Sequence, residues 1–285
     1  MYPCPHQITI RVPMKYWPKY GRFMDVPCGK CEFCRRNHRE EWFNRLMMED
    51  SIHPEPTLFL TLTYDEEHLP RADPEEPEYT HRYDAAHLQK FVKRLRKWLS
   101  VHYPMSNVRY FAVAEYGKVD LRVHYHMLLF GYPSDDVQFY KHILQHWEYG
   151  SVNDSQEIDT PAAINYVAKY CLKPDWLPPY CKPPKQWCSI NPPIGWNYVN
   201  PYSLRDHLDS RVFVDGHTVS LPKSFKRKVY DAKLYPEASY KHYKKGLEYS
   251  KKATEELIQT QLYWHERGQE IFEIKEENLK QKPKL

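Results

Sequence analysis

The chain has 285 residues, of which 27% are charged and 41% apolar, and its formal net charge at pH 7 is +4. No apolar run approaches the ~20 residues of a membrane-spanning helix and no signal-peptide pattern opens the chain, so we expect a globular protein that works in a cytoplasm, without a membrane partner. The aromatic content of 15%, with 24 tyrosines, fits base stacking on nucleic acid, although tyrosine is also ordinary core material.

Residues 1–50 are predicted to be a cysteine-containing segment that ends in a helix. Five prolines up to Pro27 indicate irregular structure over residues 1–34. Cys4 and the run Cys28-Gly-Lys-Cys31-Glu-Phe-Cys34 supply enough ligands for a structural zinc ion or an iron–sulfur cluster, but reduced thiols packed in a turn would give the same pattern. Residues 35–50 predict a helix whose arginines either face solvent or meet phosphate: Arg35, Arg36, Arg39 and Arg45.

Residues 51–175 predict alternating strands and helices. The strands lie at 57–63, 108–115, 122–130 and 150–158, and the helices at 84–100, 136–147 and 160–173. Asp84 is placed to cap the first of these helices, whose basic residues are expected to face out: Lys90, Lys93, Arg94, Arg96 and Lys97. The β-α-β-β-α-β order is that of an α+β fold of the ferredoxin-like or RRM-like type, with a central antiparallel sheet.

Strand 122–130 contains a candidate metal site. His124 and His126 are two residues apart, so both imidazoles project from the same face of the strand and suit a divalent metal. If this strand forms a hairpin with strand 108–115, Glu115 lies near His124 and supplies a third ligand. A slip of one residue in the register would instead turn Glu115 to the other face.

Helix 160–173 carries two tyrosines on its polar face. At 100° per residue, Tyr166, Lys169, Tyr170 and Lys173 cluster opposite an apolar face, and the two tyrosines are one turn apart. A partly exposed tyrosine pair on an amphipathic helix explains this pattern without any chemistry. Opposite a metal-bound phosphate, however, a tyrosine can attack DNA, and the lysines can favour phenolate or neutralise phosphate.

Residues 176–285 are predicted to be a proline-rich linker followed by a mostly helical or irregular region. Residues 222–252 hold ten Lys or Arg against three acids and are rich in tyrosine, which suits phosphate contact and base stacking or simply a solvated helix surface. An amphipathic helix is predicted over 253–281. The candidate DNA-binding residues are Lys173, Lys226, Arg227 and Lys228.

These motifs, in this order, resemble those of the HUH endonuclease superfamily. His124-Tyr125-His126 looks like its His-hydrophobe-His motif, and Tyr166-Val-Ala-Lys-Tyr170 resembles the Y-x-x-x-Y motif of its two-tyrosine members. Strand 57–63 is similar to its threonine-containing first strand. Over residues 1–173 the closer similarity is to the replication initiators of gokushovirus-type microviruses, which are small single-stranded DNA phages. It is carried by the cysteine run, by Ala114-Glu-Tyr-Gly117, and by His124 through Gly131.

The resemblance implies a rolling-circle replication initiator. Such an enzyme uses Mg²⁺ or Mn²⁺ to nick single-stranded origin DNA of a circular phage genome, stays attached through a 5′-phosphotyrosine and rejoins the displaced strand. By position, His124, His126 and Glu115 are the metal ligands, and the nucleophiles are Tyr166 and Tyr170. Lys169 completes a Tyr-x-x-Lys pattern of single-tyrosine members, which leaves open whether both tyrosines act. The place of action is the host bacterial cytoplasm, with host helicase and polymerase as partners.

Two other interpretations fit the same elements. One is a non-catalytic RRM-like module that binds nucleic acid and has a zinc-stabilised N-terminus, although the third strand lacks the RNA-binding signature of that fold. The other is an HUH transposase or relaxase, which shares the first chemical step. Covalent attachment to DNA separates the module from the enzymes, and the DNA substrate separates the enzymes from one another.

Overall fold

The computed structural model describes residues 4–17, 21–70, 82–158, 161–169, 177, 181, 183–199 and 211–229. The chain divides into two compact units, Met1–Glu40 with Lys228–Leu285, and Glu41–Arg227. None of the described helices is both long and apolar enough to span a lipid bilayer. The helix predicted over 253–281 lies outside the described residues.

The first unit contains an antiparallel hairpin of strands β1 (Ile8–Arg11) and β2 (Phe23–Val26), with Ile8 opposite Val26. The prediction of irregular structure over residues 1–34 was therefore wrong for these strands. Pro13 and Pro27 lie just outside the paired residues, so neither removes a hydrogen bond from the ladder. A short 3-10 helix, Met14–Tyr16, follows β1.

Helix α1 spans Glu32–Asp50 and confirms the helix predicted over 35–50. Arg45 does not face solvent as expected. Its guanidinium lies 4.1 Å from the centroid of the Trp42 ring and donates to the Ile194 carbonyl at 3.2 Å. This arginine therefore anchors the helix and does not offer its charge to phosphate.

The second unit confirms the predicted β-α-β-β-α-β order. Its elements are β3 (Thr57–Tyr64), α2 (Ala85–His102), β4 (Arg109–Tyr116), β5 (Val123–Phe130), α3 (Phe139–His146), β6 (Gly150–Ile158) and, after these, α4 (Pro161–Lys169). Asp84 caps α2 as predicted, because its carboxylate accepts a hydrogen bond from the Ala86 N–H at 2.7 Å. The strands pair antiparallel in the order β6-β3-β5-β4, which is the ferredoxin-like arrangement.

A fifth strand, β7 (Gln186–Cys188), extends this sheet beside β4, and the sequence analysis did not predict it. Only three residues pair, in a stretch bounded by prolines, so the segment is too short for strand alternation to be recognised. Further along the chain, β8 (Arg211–Val214) and β9 (His217–Ser220) form a hairpin, and helix α5 spans Lys223–Val229.

The two faces of the main sheet have different roles. One face is the hydrophobic core under α2 and α3, and alternate strand residues point into it, among them Leu60, Leu62, Tyr125 and Met127. The residues between them, including Thr61 and His126, point to the opposite face. This alternation keeps the candidate ligands out of the apolar core.

Two arginines expected to face out from α2 instead tie the helix to neighbouring chain. Arg94 donates to the His146 carbonyl at 2.8 Å, and Arg96 donates to the Val108 carbonyl at 2.9 Å. A long side chain can bury its stem while its head satisfies a backbone acceptor, which sequence periodicity does not reveal.

A buried ion pair joins the last turn of α1 to the start of β4. Glu49 is fully buried and accepts hydrogen bonds from Arg109 and from the Gly195 N–H. Burial would raise the pKa of Glu49, but its hydrogen bonds to His53 and Gly195 and the charge of Arg109 outweigh burial and lower it. The pair is ionised at neutral pH.

Candidate metal centre and nucleophile

The hairpin of β4 and β5 brings together the three predicted ligands. Glu115 lies directly opposite His124 in the register, as predicted. One carboxylate oxygen of Glu115, Oε2, is 3.0 Å from His124 Nε2 and 2.6 Å from His126 Nε2. A slip of one residue is thereby excluded, and all three side chains share the face opposite the core.

The carboxylate in this group is ionised at neutral pH. Burial acts to raise the pKa of Glu115, but hydrogen bonds from His124 and His126 outweigh burial and bring the pKa to about 2. The Glu115 side chain is 25% exposed, His124 22% and His126 8%, so the group opens to solvent on the side of Glu115 and His124. An anionic ligand that solvent can reach is what an incoming cation requires.

His126 is oriented from behind by a buried threonine. Thr61 of β3 lies opposite His126, and its Oγ1 is 3.1 Å from His126 Nδ1. Because this contact engages Nδ1, the other ring nitrogen faces Glu115. Partners of this kind fix the orientation and tautomer of metal-binding histidines.

Sequence analysis did not single out Thr61. The available signal was its position in a strand of threonines that alternates with leucines. Only the strand order, with β3 beside β5, and the register reveal which threonine faces which histidine.

The donor set fits a divalent cation. One ligand atom from each of Glu115, His124 and His126 lies within 4.8 Å of the other two. Two imidazole nitrogens and one carboxylate oxygen suit Mn²⁺ better than Mg²⁺, which favours oxygen ligands and retains several waters. The three donors come from one side of the sheet and leave room for substrate oxygens on the other side of an ion.

Tyr166 of α4 lies on the same side of the sheet. Its ring meets Phe59 edge-on, with centroids 6.3 Å apart, and Phe59 stacks on the His126 ring at 5.6 Å. Tyr166 is 47% exposed, whereas Ile164 and Val167 of the same helix are buried, which confirms its predicted polar and apolar faces. One aromatic ring, Phe59, therefore contacts both a candidate ligand and the candidate nucleophile.

The other residues predicted on this helix are placed in part. Lys169 Nζ lies 5.8 Å from the centroid of the Tyr166 ring, so a positive charge accompanies the exposed phenol. Tyr170 and Lys173 lie outside the described residues.

Polar side chains on the neighbouring edge of the sheet extend the site. Thr63 lies opposite His124, and its Oγ1 is 2.6 Å from Ser151 Oγ. Asn153 donates to the same threonine oxygen at 3.4 Å, and both β6 residues are exposed. Such groups commonly contact the sugar–phosphate backbone of nucleic acids.

The remaining predicted residues lie elsewhere in the chain. Lys226, Arg227 and Lys228 are on α5, a helix whose Phe225 packs edge-on against Trp196 at 5.2 Å, and not on the strands that carry the histidines. Burial and the neighbouring Lys223 lower the pKa of Lys226. The sulfur atoms of the four predicted cysteine ligands come together in the first unit, within 4.8 Å of one another: Cys4, Cys28, Cys31 and Cys34.

Comparison with known proteins places the core of this fold in a family. Residues 57–175 match the model of the replication-associated protein ORF2 family. This segment contains β3 to α4 and therefore every residue of the candidate metal centre. No solved structure matches the chain.

Three curated relatives are replication-associated proteins of microviruses. The chain is 32% identical over 167 residues to replication-associated protein ORF2 of Spiroplasma virus 4, over 52% of this chain and 48% of that protein. It is 27% identical over 223 residues to replication-associated protein ORF4 of Chlamydia phage 1, over 70% and 52% of the two chains. It is 31% identical over 165 residues to replication-associated protein VP4 of Bdellovibrio phage phiMH2K, over 52% and 48%.

The chain thus spans about half the length of the curated relatives it matches. Within that span, residues 57–175 carry the domain of the replication-associated protein ORF2 family, and the chain is a relative of microvirus replication proteins. The resemblance to microvirus replication proteins noted from the sequence motifs is confirmed.

Proposed function

We propose that the chain is a rolling-circle replication initiator that nicks single-stranded DNA. Glu115, His124 and His126 hold a Mn²⁺ or Mg²⁺ ion, and Tyr166 attacks the scissile phosphodiester. The observation that supports this most directly is the convergence of three metal-binding side chains on the sheet face where Tyr166 packs beside Phe59. The replication-associated relatives supply the biological setting.

The chemistry follows from the positions of these groups. When bound, a divalent cation withdraws charge from the scissile phosphate and stabilises the charge that develops on it. The phenol oxygen of Tyr166 forms a bond to phosphorus while the bond from phosphorus to the 3′ oxygen breaks. The phenolic proton passes to solvent and the departing oxygen takes up a proton, so the products are a 5′-phosphotyrosine and a free 3′-OH.

Neighbouring residues orient and stabilise this step. Lys169 places a positive charge beside the phenol as negative charge develops on it. Thr61 holds the His126 ring so that Nε2 faces Glu115. Thr63, Ser151 and Asn153 are placed to contact the DNA backbone next to the histidines.

Strand rejoining uses the same linkage. A phosphotyrosine conserves the energy of the broken phosphodiester, so a 3′-OH can attack it and restore a continuous strand. Tyr170, one turn further along the sequence, is the candidate nucleophile for a second transfer. The substrate is origin DNA of a circular phage genome in the bacterial host, where the freed 3′-OH primes the host polymerase behind a helicase.

The proposal is tested with overlapping single-stranded oligonucleotides that cover the genome carrying this gene. With Mn²⁺, the full chain should form a protein–DNA adduct that survives a denaturing gel. Tyr166→Phe should abolish the first adduct, and Tyr170→Phe should retain it. The matched control is Tyr140→Phe, since Tyr140 is also 47% exposed and its hydroxyl donates to the Val152 carbonyl. An adduct that persists in Tyr166→Phe would show that another nucleophile acts first.

A second set of variants separates catalysis from binding. Replacing His124 and His126 with alanine should abolish the adduct in Mn²⁺ while most of the affinity for the same oligonucleotide remains. Metal-independent binding by the unaltered chain, with no adduct on any oligonucleotide, would instead favour the non-catalytic RRM-like module. Cleavage confined to transposon ends or transfer origins would favour a transposase or relaxase.

A further inference from the structure

The first unit contains four cysteine thiols in one cluster, outside the candidate nicking site. Cys4, Cys28, Cys31 and Cys34 are all unoxidised, and their sulfur atoms lie within 4.8 Å of one another. Cys4 and Cys34 are buried, and the other two are partly buried. Sulfur ligands in this number, spacing and burial are typical of a metal site.

The separations between the sulfur atoms indicate which metal centre fits. Cys4 Sγ lies 3.6 Å from Cys28 Sγ and 3.7 Å from Cys31 Sγ, and Cys28 Sγ lies 3.9 Å from Cys34 Sγ. A tetrahedral ion with bonds to sulfur of about 2.3 Å separates its ligands by about 3.8 Å. In an iron–sulfur cluster the cysteines bind different iron atoms and lie farther apart, whereas a disulfide requires about 2.05 Å. The geometry therefore fits a single tetrahedral ion.

The local backbone is arranged around these sulfur atoms. Gly29 has a φ of +75°, in the left-handed region that favours glycine, and the chain turns there from Cys28 towards Cys31. The Cys28 N–H donates to Cys4 Sγ and the Cys31 N–H donates to Cys28 Sγ, each at 3.3 Å. Such donors stabilise thiolates, which are the form that binds a metal.

The first unit has little apolar core to hold it together without a metal. In the hairpin, Ile8 is 49% exposed and Phe23 65% exposed. Among the described residues up to Glu40, the buried apolar side chains are Cys4, Val12, Phe33 and Cys34, so half of them belong to the cluster. Segments with so small a core usually need a disulfide or a structural metal.

We propose that these four cysteines bind one zinc ion that serves as the structural centre of this unit. Cys4 precedes β1, Cys28 follows β2, and Cys31 and Cys34 flank the first residues of α1. The ion thus fastens the open end of the hairpin to the beginning of the helix. In a protein that acts on DNA, its role is to fold this segment and not to take part in the reaction.

The test is metal analysis of the full chain purified anaerobically without added metal. We expect about one zinc ion per chain, and zinc absorption spectroscopy should show sulfur ligands alone at about 2.3 Å. Cys31→Ser should lose the zinc, whereas Cys188→Ser, a substitution in β7, should keep it. The double replacement of His124 and His126 with alanine should also keep it, which separates this site from the nicking site.

A second measurement applies even if Cys31→Ser does not fold. Treating the unaltered chain with a strong chelator should remove the zinc and expose the segment from Cys4 to Cys34 to limited proteolysis, and added zinc should restore protection. Bound iron with acid-labile sulfide, a disulfide within the cluster, or protease resistance unchanged by zinc removal would each overturn the proposal.

Discussion

Thr61→Val removes one hydroxyl from beneath the candidate metal centre and keeps the shape of the side chain. Thr61 is 6% exposed, and its Oγ1 is 3.1 Å from Nδ1 of the nearly buried His126. Valine fills the same volume but leaves that ring nitrogen without this contact. Loss of such an orienting partner typically lowers metal affinity about 10–100-fold. This corresponds to about 1.4–2.8 kcal/mol of binding free energy.

The assay is calorimetric titration of Mn²⁺ into the full chain, with thermal unfolding as a check on the fold. Thr61→Ser should restore most of the affinity, because serine keeps the hydroxyl. Thr63→Val is the matched control. It alters the same residue type on the same strand face, but the Thr63 hydroxyl contacts Ser151 and not a histidine. Equal Mn²⁺ affinity in Thr61→Val and the unaltered chain would refute the role given to Thr61.

Two predictions concern the scaffold, measured by urea unfolding. Glu49→Gln should lower the free energy of unfolding by about 3–5 kcal/mol, because it leaves a buried arginine unpaired. Since the pKa of Glu49 is lowered, its stabilisation is present above about pH 4.3 and lost on acidification, and the variant should show a flatter acid limb. Glu66→Gln, at an ion pair whose carboxylate is 77% exposed, should cost under about 1 kcal/mol, and an equal loss in both variants would contradict this reasoning. Gly150→Ala should cost about 2–4 kcal/mol, because its Cβ would lie 2.6 Å from a backbone nitrogen at a φ of +151°. Gly117→Ala, whose Cβ would meet only the tip of an aspartate side chain, should cost clearly less, and similar losses would show that the backbone contact is not decisive.

The order of elements in the core was predictable because each element carries its own periodicity. Leucines alternating with threonines in β3 and the capped, amphipathic α2 are local signals that the tertiary structure does not override. The hairpin of β4 and β5 was equally accessible. Its strands are neighbours in sequence, and Glu115 opposite His124 is the register that places all the ligands on one face.

The contacts between distant segments were not predictable from the sequence. The pairing of Thr61 with His126 depends on which strand lies beside β5, and strand β7 is too short to show alternation. Arg94 and Arg96 were expected in solvent because charge pattern does not show that a long side chain can reach a backbone carbonyl. The cysteine motif predicted a ligand count, whereas the choice between zinc and a cluster required the distances between sulfur atoms.

The central claim is that Tyr166 becomes covalently attached to DNA, and mass spectrometry of the adduct tests it most directly. After cleavage of the reactive oligonucleotide in Mn²⁺, the adduct is digested with nuclease and then with trypsin. Trypsin cuts after Lys169, so Tyr166 and Tyr170 fall on different peptides. We predict a nucleotide joined through its 5′ phosphate to Tyr166 in the peptide that ends at Lys169. A nucleotide found only on another residue, or a 3′-linked nucleotide, would contradict the account.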